Sequence, residues 1–201
     1  MARFTPEGTL GPFYPGTFAL QSMPADLSTV APILVHRPQG QSIQLSGRFI
    51  DANGAPVASL VLEVWQANAF GRYRHPLDRE DRPDSPLDPQ FDGFARIRTN
   101  DSGAYEFRTI KPGSHPIREG ESSRRAPHLR FTIFASGIDR LVTQVFFDDE
   151  PLNESDPVLR CIPDPFVRQR LIAKSEGKDR YVLNIVLRGK NETPFFDDWA
   201  E

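Results

Sequence analysis

Tyr73, His115 and His128 are the side chains of this sequence best equipped to do chemistry, and each lies in a polar interruption of apolar, strand-like sequence. The three pieces are Gly71-Arg72-Tyr73-Arg74-His75, Ile110-Lys111-Pro112-Gly113-Ser114-His115-Pro116 and Arg125-Ala126-Pro127-His128-Leu129-Arg130-Phe131. A tyrosinate oxygen and imidazole nitrogens suit a hard, highly charged cation such as Fe(III), which prefers anionic oxygen and borderline nitrogen to thiolate. Residues 128 and 130 have the period-2 spacing that puts two side chains on one face of a strand. The second of the two is an arginine, which has no lone pair to offer and keeps its charge in a protein. A plainer reading stands beside this one. A histidine in a mixed β protein is ordinarily a hydrogen-bonded structural group, and a tyrosine at a strand exit ordinarily keeps its hydroxyl in water. His36 and His75 lie in polar loops and are expected to be solvated.

The chain that must position these residues has 201 of them, with a formal charge of -3 from 24 Lys+Arg against 27 Asp+Glu. That size buries a core of its own, and the charge lacks the basic excess that neutralises a phosphate backbone. Nucleic acid is therefore not an expected partner. Fifteen Phe, nineteen Pro and fourteen Gly favour many short elements joined by turns, a mainly β protein. The one cysteine, Cys161, excludes an intrachain disulfide and reads as a small buried hydrophobe within Val158-Leu159-Arg160-Cys161-Ile162. No apolar run approaches the roughly 18 residues that span a bilayer, and the first residues show no apolar leader, so a cytoplasmic location is expected.

Residues 1–40 are rich in Pro and Gly without sustained periodicity and read as an N-terminal arm; 41–201 read as one β-sandwich domain of mostly antiparallel strands with one or two short helices. Strands are expected at 42–51, 60–66, 93–99, 103–110, 128–135, 140–147 and 181–187. Leu60–Gln66, apolar but for Glu63, should be central. Asn53-Gly54 and Asn100-Asp101-Ser102-Gly103 are turn signals, the second read as a hairpin. The polar segment 114–125 cannot be a buried strand. Phe166, Arg170 and Ala173, in helical phase, suggest a helix over 165–173.

The run from Leu45-Ser46-Gly47-Arg48-Phe49-Ile50-Asp51 through Leu62-Glu63-Val64-Trp65-Gln66-Ala67-Asn68 to Tyr73 resembles the signature of the intradiol ring-cleavage dioxygenases. That resemblance implies a non-haem Fe(III) held by two Tyr and a His-x-His pair, acting with O2 on a catechol. Tyr73 and His128 match the pattern, but His115 stands where the loop Tyr belongs and Arg130 where the second His belongs. Arg125 matches the family's arginine next to the substrate and could pair with Tyr73 or Glu119 in a metal-free pocket. Some members are built from two homologous chains, a β chain holding the iron and an α chain with a degenerate copy of the site. This chain resembles the α type, through the missing ligands, the lack of a long β-type N-terminal extension, and the segments Phe146-Phe147-Asp148-Asp149-Glu150 and Phe195-Phe196-Asp197.

By the same resemblance Thr9, Gly11 and Pro12 of the arm line the pocket whose iron a homologous β chain carries. A glycine there lets backbone approach a planar ring. Ser136 occupies the place in Phe134-Ala135-Ser136-Gly137 where α chains can have an arginine for a substrate carboxylate, leaving Arg140 as a nearby cation. The implied function is the α-type part of an Fe(III) enzyme opening an acidic catechol. Two alternatives stay open: a self-sufficient metal-dependent dioxygenase using Tyr73, His115 and His128, and a non-catalytic β-sandwich binding module.

Overall fold

A computed structural model describes residues 38–75, 78, 85–117, 122–135 and 139–196. Thr9, Gly11, Pro12, His36, Glu119 and Ser136 lie outside the described residues, as does most of the expected arm. The strands are β1 (Ser42–Ile50), β2 (Val61–Gln66), β3 (Phe94–Arg98), β4 (Ala104–Ile110), β5 (His115–Pro116), β6 (Arg124–Arg125), β7 (His128–Ala135), β8 (Asp139–Phe147), β9 (Ile172–Ser175), β10 (Arg180–Val182) and β11 (Ile185–Val186). Two four-residue helices, α1 (Pro157–Arg160) and α2 (Pro165–Arg168), complete the described elements together with two short 3-10 turns. No helix among the described residues is long and apolar enough to cross a membrane.

The strands run in the order β11-β1-β10-β9-β8-β7-β2-β3, with β4 on the other side of β1. This makes two halves, one around β1 and β4 and one of β8, β7, β2 and β3, joined through β9, which pairs antiparallel with β10 and parallel with β8. The halves face each other across one core. Leu45, Phe49, Tyr105 and Phe107 on one side meet Leu62, Val64, Phe131, Ile133 and Val145 on the other. Period-2 alternation puts these residues inside and leaves the opposite faces of both halves outside. Burying the phenyl rings of Phe49, Phe107, Phe131 and Phe147, all at 0% exposure, contributes on the order of 2–3 kcal/mol each. β2 sits between β3 and β7, so its central place is as expected.

Three expectations fail, each for a physical reason. The turn at 100–103 forms, with the Asn100 carboxamide accepting from the Ser102 and Ala104 N–H groups, but it does not join a hairpin. β3 pairs with β2 and β4 with β1, so the turn carries the chain from one half to the other. The helix over 165–173 ends at Arg168 in a 3-10 turn, and Ile172–Ser175 is a strand. Phe166 is 79% exposed and anchors nothing in the described fold; the phase with Ala173 was coincidental. Cys161 is exposed, because it is the C-cap of α1 and Leu159 fills the buried position of that turn.

Candidate functional site

β7 directs His128 and Arg130 to its outer face, away from the core that Leu129 and Phe131 enter. Tyr73 arrives from a turn that follows β2. Asn68, itself buried, organises that turn: its Oδ1 accepts from the Phe70 and Arg72 N–H groups at 2.9 and 3.0 Å. Its carbonyl accepts from both Gly71 N–H at 3.0 Å and Gly113 N–H at 2.9 Å, tying the Tyr73 turn to the His115 loop. The two backbones run so close that a Cβ on Gly71, whose φ is +73°, would lie 2.0 Å from the Ser114 carbonyl oxygen. Glycine is required there both for space and for conformation. Asp78 then accepts from the Tyr73 N–H at 2.9 Å and pairs with Arg72 at 3.0 Å.

The result is a row of rings. Tyr73 and His115 have centroids 5.5 Å apart, His115 and His128 5.5 Å, and His128 and Phe146 5.5 Å. Trp65, at 38% exposure, continues the row outward, 6.4 Å from Tyr73 and 5.6 Å from His75. His75 is exposed, as expected, and Tyr73 is half-buried rather than a solvated strand-end residue.

Both histidines are held in one tautomer. Nδ1 of His115 lies 3.0 Å from the Pro116 carbonyl oxygen and Nδ1 of His128 lies 2.7 Å from that of Ala126. A carbonyl only accepts, so each Nδ1 carries the proton and each Nε2 keeps its lone pair. Nε2 of His115 is buried and has no hydrogen-bond partner among the described residues. Burial, and then the Arg125 guanidinium, pushes His128 down to about 3 from its ordinary 6.5. His115 is lowered chiefly by burial as well, against the hydrogen bond to Pro116.

The folded state therefore resists a proton that the unfolded chain accepts. Stability from His128 is fully present above pH 6.5 and is lost as the pH falls towards about 3. The urea midpoint should drop between neutral and mildly acidic solution, and the drop should be smaller in His128→Asn. An equal drop in both proteins would assign the effect to other groups.

Among the described residues Arg125 has no contact with Tyr73, one of the two partners the sequence offered it; the other, Glu119, lies outside them. Its Nε donates to Asp156 at 3.0 Å and its Nη2 to Gln144 at 2.5 Å. Asp156, at 0% exposure, also accepts from the Ala126 N–H at 2.8 Å and caps α1 through Val158 and Leu159. The arginine thus serves the frame behind His128. Sequence reasoning missed Asn68, Gln144 and Asp156. Asp156-Pro157 carried a signal, an N-cap residue before a proline at the first helical position, and Gln144 breaks an apolar strand; nothing local marks Asn68.

A sequence profile described as Dioxygenase matches residues 15–189. The chain is 41% identical over 165 residues to the protocatechuate 3,4-dioxygenase beta chain of Burkholderia cepacia, covering 78% of this chain and 68% of that one. It is 38% identical over 164 residues to the protocatechuate 3,4-dioxygenase alpha chain of Pseudomonas putida, covering 79% and 77%. Among solved structures, an intradiol ring-cleavage dioxygenase from Tetranychus urticae superposes with a TM-score of 0.59 at 20% identity, over 96% of this chain and 100% of that one, which speaks for the fold. With a profile over most of its length and two relatives of this identity, the chain belongs to the intradiol ring-cleavage dioxygenase family.

Proposed function

We propose that this chain is the α-type subunit of an Fe(III) intradiol dioxygenase cleaving protocatechuate with O2 to 3-carboxy-cis,cis-muconate, with the iron held by a homologous β chain. Named alpha and beta relatives have comparable identity to it, so the ligand positions have to decide between the two roles. Arg130 is the observation that carries the reading. It stands on the same face of β7 as His128, in the place of the family's second His.

The residues present do not fit Fe(III). A trivalent ion needs anionic donors, and the loop position offers neutral His115 in place of a tyrosinate, leaving Tyr73 as the one phenol of the set. The guanidinium groups of Arg125 and Arg130 both disfavour positive charge at His128. The degenerate set Tyr73, His115, Arg125, His128 and Arg130 is then a frame whose chemistry has moved to the partner. In this reading Thr9, Gly11 and Pro12 form part of the wall of the partner's pocket. Ser136 lies by the substrate carboxylate with Arg140 as the nearby cation, and the ring opening belongs to the partner's metal.

One observation favours a second reading, a self-sufficient metal-dependent catechol dioxygenase: the buried Nε2 of His115, without a hydrogen-bond partner among the described residues, beside Tyr73 and His128. Metal analysis separates the two. Purified alone, the chain should carry no stoichiometric iron and no tyrosinate-to-iron charge-transfer band, and both should be present after co-assembly with a homologous chain whose Tyr, Tyr and His-x-His set is intact. Stoichiometric iron in the isolated chain would overturn the α-type reading and leave the second.

A further inference from the structure

The degenerate site leaves a buried nitrogen lone pair unused. Nε2 of His115 is enclosed by protein and has no hydrogen-bond partner among the described residues, a costly state for an acceptor withdrawn from water. The ring is fixed from its other side, because Nδ1 donates to the Pro116 carbonyl at 3.0 Å, and His128 is fixed likewise by the Ala126 carbonyl at 2.7 Å. A backbone carbonyl on Nδ1 is a usual outer support of a histidine that binds metal through Nε2. The two rings lie 5.5 Å apart, tilted by 52°. Two imidazoles that share a tetrahedral ion at about 2.0–2.1 Å have centres roughly 5–5.5 Å apart, so the pair needs little movement to share one. Rings at this spacing leave no room between them for an organic molecule. Among the described residues no group of three His, Cys, Asp or Glu could hold a metal. The third donor beside this pair is the phenol of Tyr73, whose ring is 5.5 Å from that of His115.

We propose that Tyr73, His115 and His128 bind a divalent cation of the zinc type, with one coordination position left to water. The same residues do not fit Fe(III), but the reasons weigh less on zinc. Fe(III) asks for anionic oxygen, whereas neutral imidazole is a preferred donor of Zn(II). One tyrosinate then leaves a single net positive charge instead of two. Arg125 opposes positive charge at His128, but its guanidinium is itself paired with Asp156 at 3.0 Å, and that carboxylate favours positive charge at His115. The ion would join the Tyr73 turn, the β5–β6 hairpin and β7 at one point, a role in holding the frame and not in opening a ring. The inference rests on the α-type reading in that this site holds no iron.

The test uses the full chain, stripped with a chelator and titrated with Zn(II) and with Co(II), whose visible bands report coordination number. One equivalent should bind, with the bands of a four-coordinate ion and a urea midpoint that rises with Zn(II) concentration. His115→Asn, His128→Asn and Tyr73→Phe should each weaken Zn(II) binding by roughly tenfold or more. His75→Asn, which alters an exposed ring outside the set, should leave it unaltered. No binding by the unaltered chain, or binding that His115→Asn leaves unchanged, overturns the proposal while the α-type reading stands. The first of these outcomes needs no variant, so the test holds even where a substitution prevents folding. Stoichiometric iron in the chain before stripping overturns both.

Discussion

Asp156→Ala is expected to destabilise the chain by about 3–5 kcal/mol, the range for breaking a buried ion pair by removing one member. Typical domains are stable by about 5–15 kcal/mol, so much of the fold's margin is at stake. Asp156 is fully buried and holds four groups at once: Arg125, the Ala126 N–H and the first N–H groups of α1. Alanine leaves the guanidinium stranded beside Gln144 and removes the helix cap, itself worth about 0.5–2 kcal/mol. Two comparisons apportion the loss. Asp156→Asn keeps an oxygen for the N–H groups and should cost less than alanine. Asp156→Ala combined with Arg125→Met should recover part of the loss, because no unpaired charge remains. A urea-derived change below about 1 kcal/mol for Asp156→Ala would mean that this network is not what fixes β7 behind the site.

The strands were legible in the sequence wherever one face is buried and the other is not, since Ile43 and Leu45 in β1, or Leu129, Phe131 and Ile133 in β7, alternate with outward residues. What local pattern could not supply was pairing. The turn at Asn100 is the same whether its strands pair with each other or part, and only the two-layer core decides that they part. Ile172–Ser175 was lost for a related reason. It is four residues long, follows directly on a 3-10 turn, and is held as a strand by neighbours β8 and β10, of which β8 lies far back along the chain. In the site, the types of Tyr73, His115 and His128 were visible, and their convergence was expected from family resemblance; the structure brings all three together. The partner of Arg125 was beyond reach, 31 residues away in a segment with no apparent link to it.

Gly11→Leu should lower kcat/KM of the assembled two-chain enzyme by roughly 5- to 150-fold, the kinetic equivalent of the about 1–3 kcal/mol that overpacking costs. The expectation follows from the proposed place of Thr9, Gly11 and Pro12 at the wall of the partner's pocket, where a branched side chain would occupy the path of the ring. Iron content and assembly should stay unchanged, which distinguishes a blocked pocket from a misfolded subunit. Tyr73→Phe is the opposing experiment. Tyr73 sits in a ring row with His115 and His128, where burial and the Arg125 guanidinium disfavour added positive charge at His128, so losing its hydroxyl should alter kcat/KM little if the reacting metal is on the other chain. The two variants make contrary demands on the two readings. If Tyr73→Phe abolishes activity while Gly11→Leu is silent, the chemistry resides on this chain, and the buried lone pair of His115 becomes a member of the working site rather than a remnant of one.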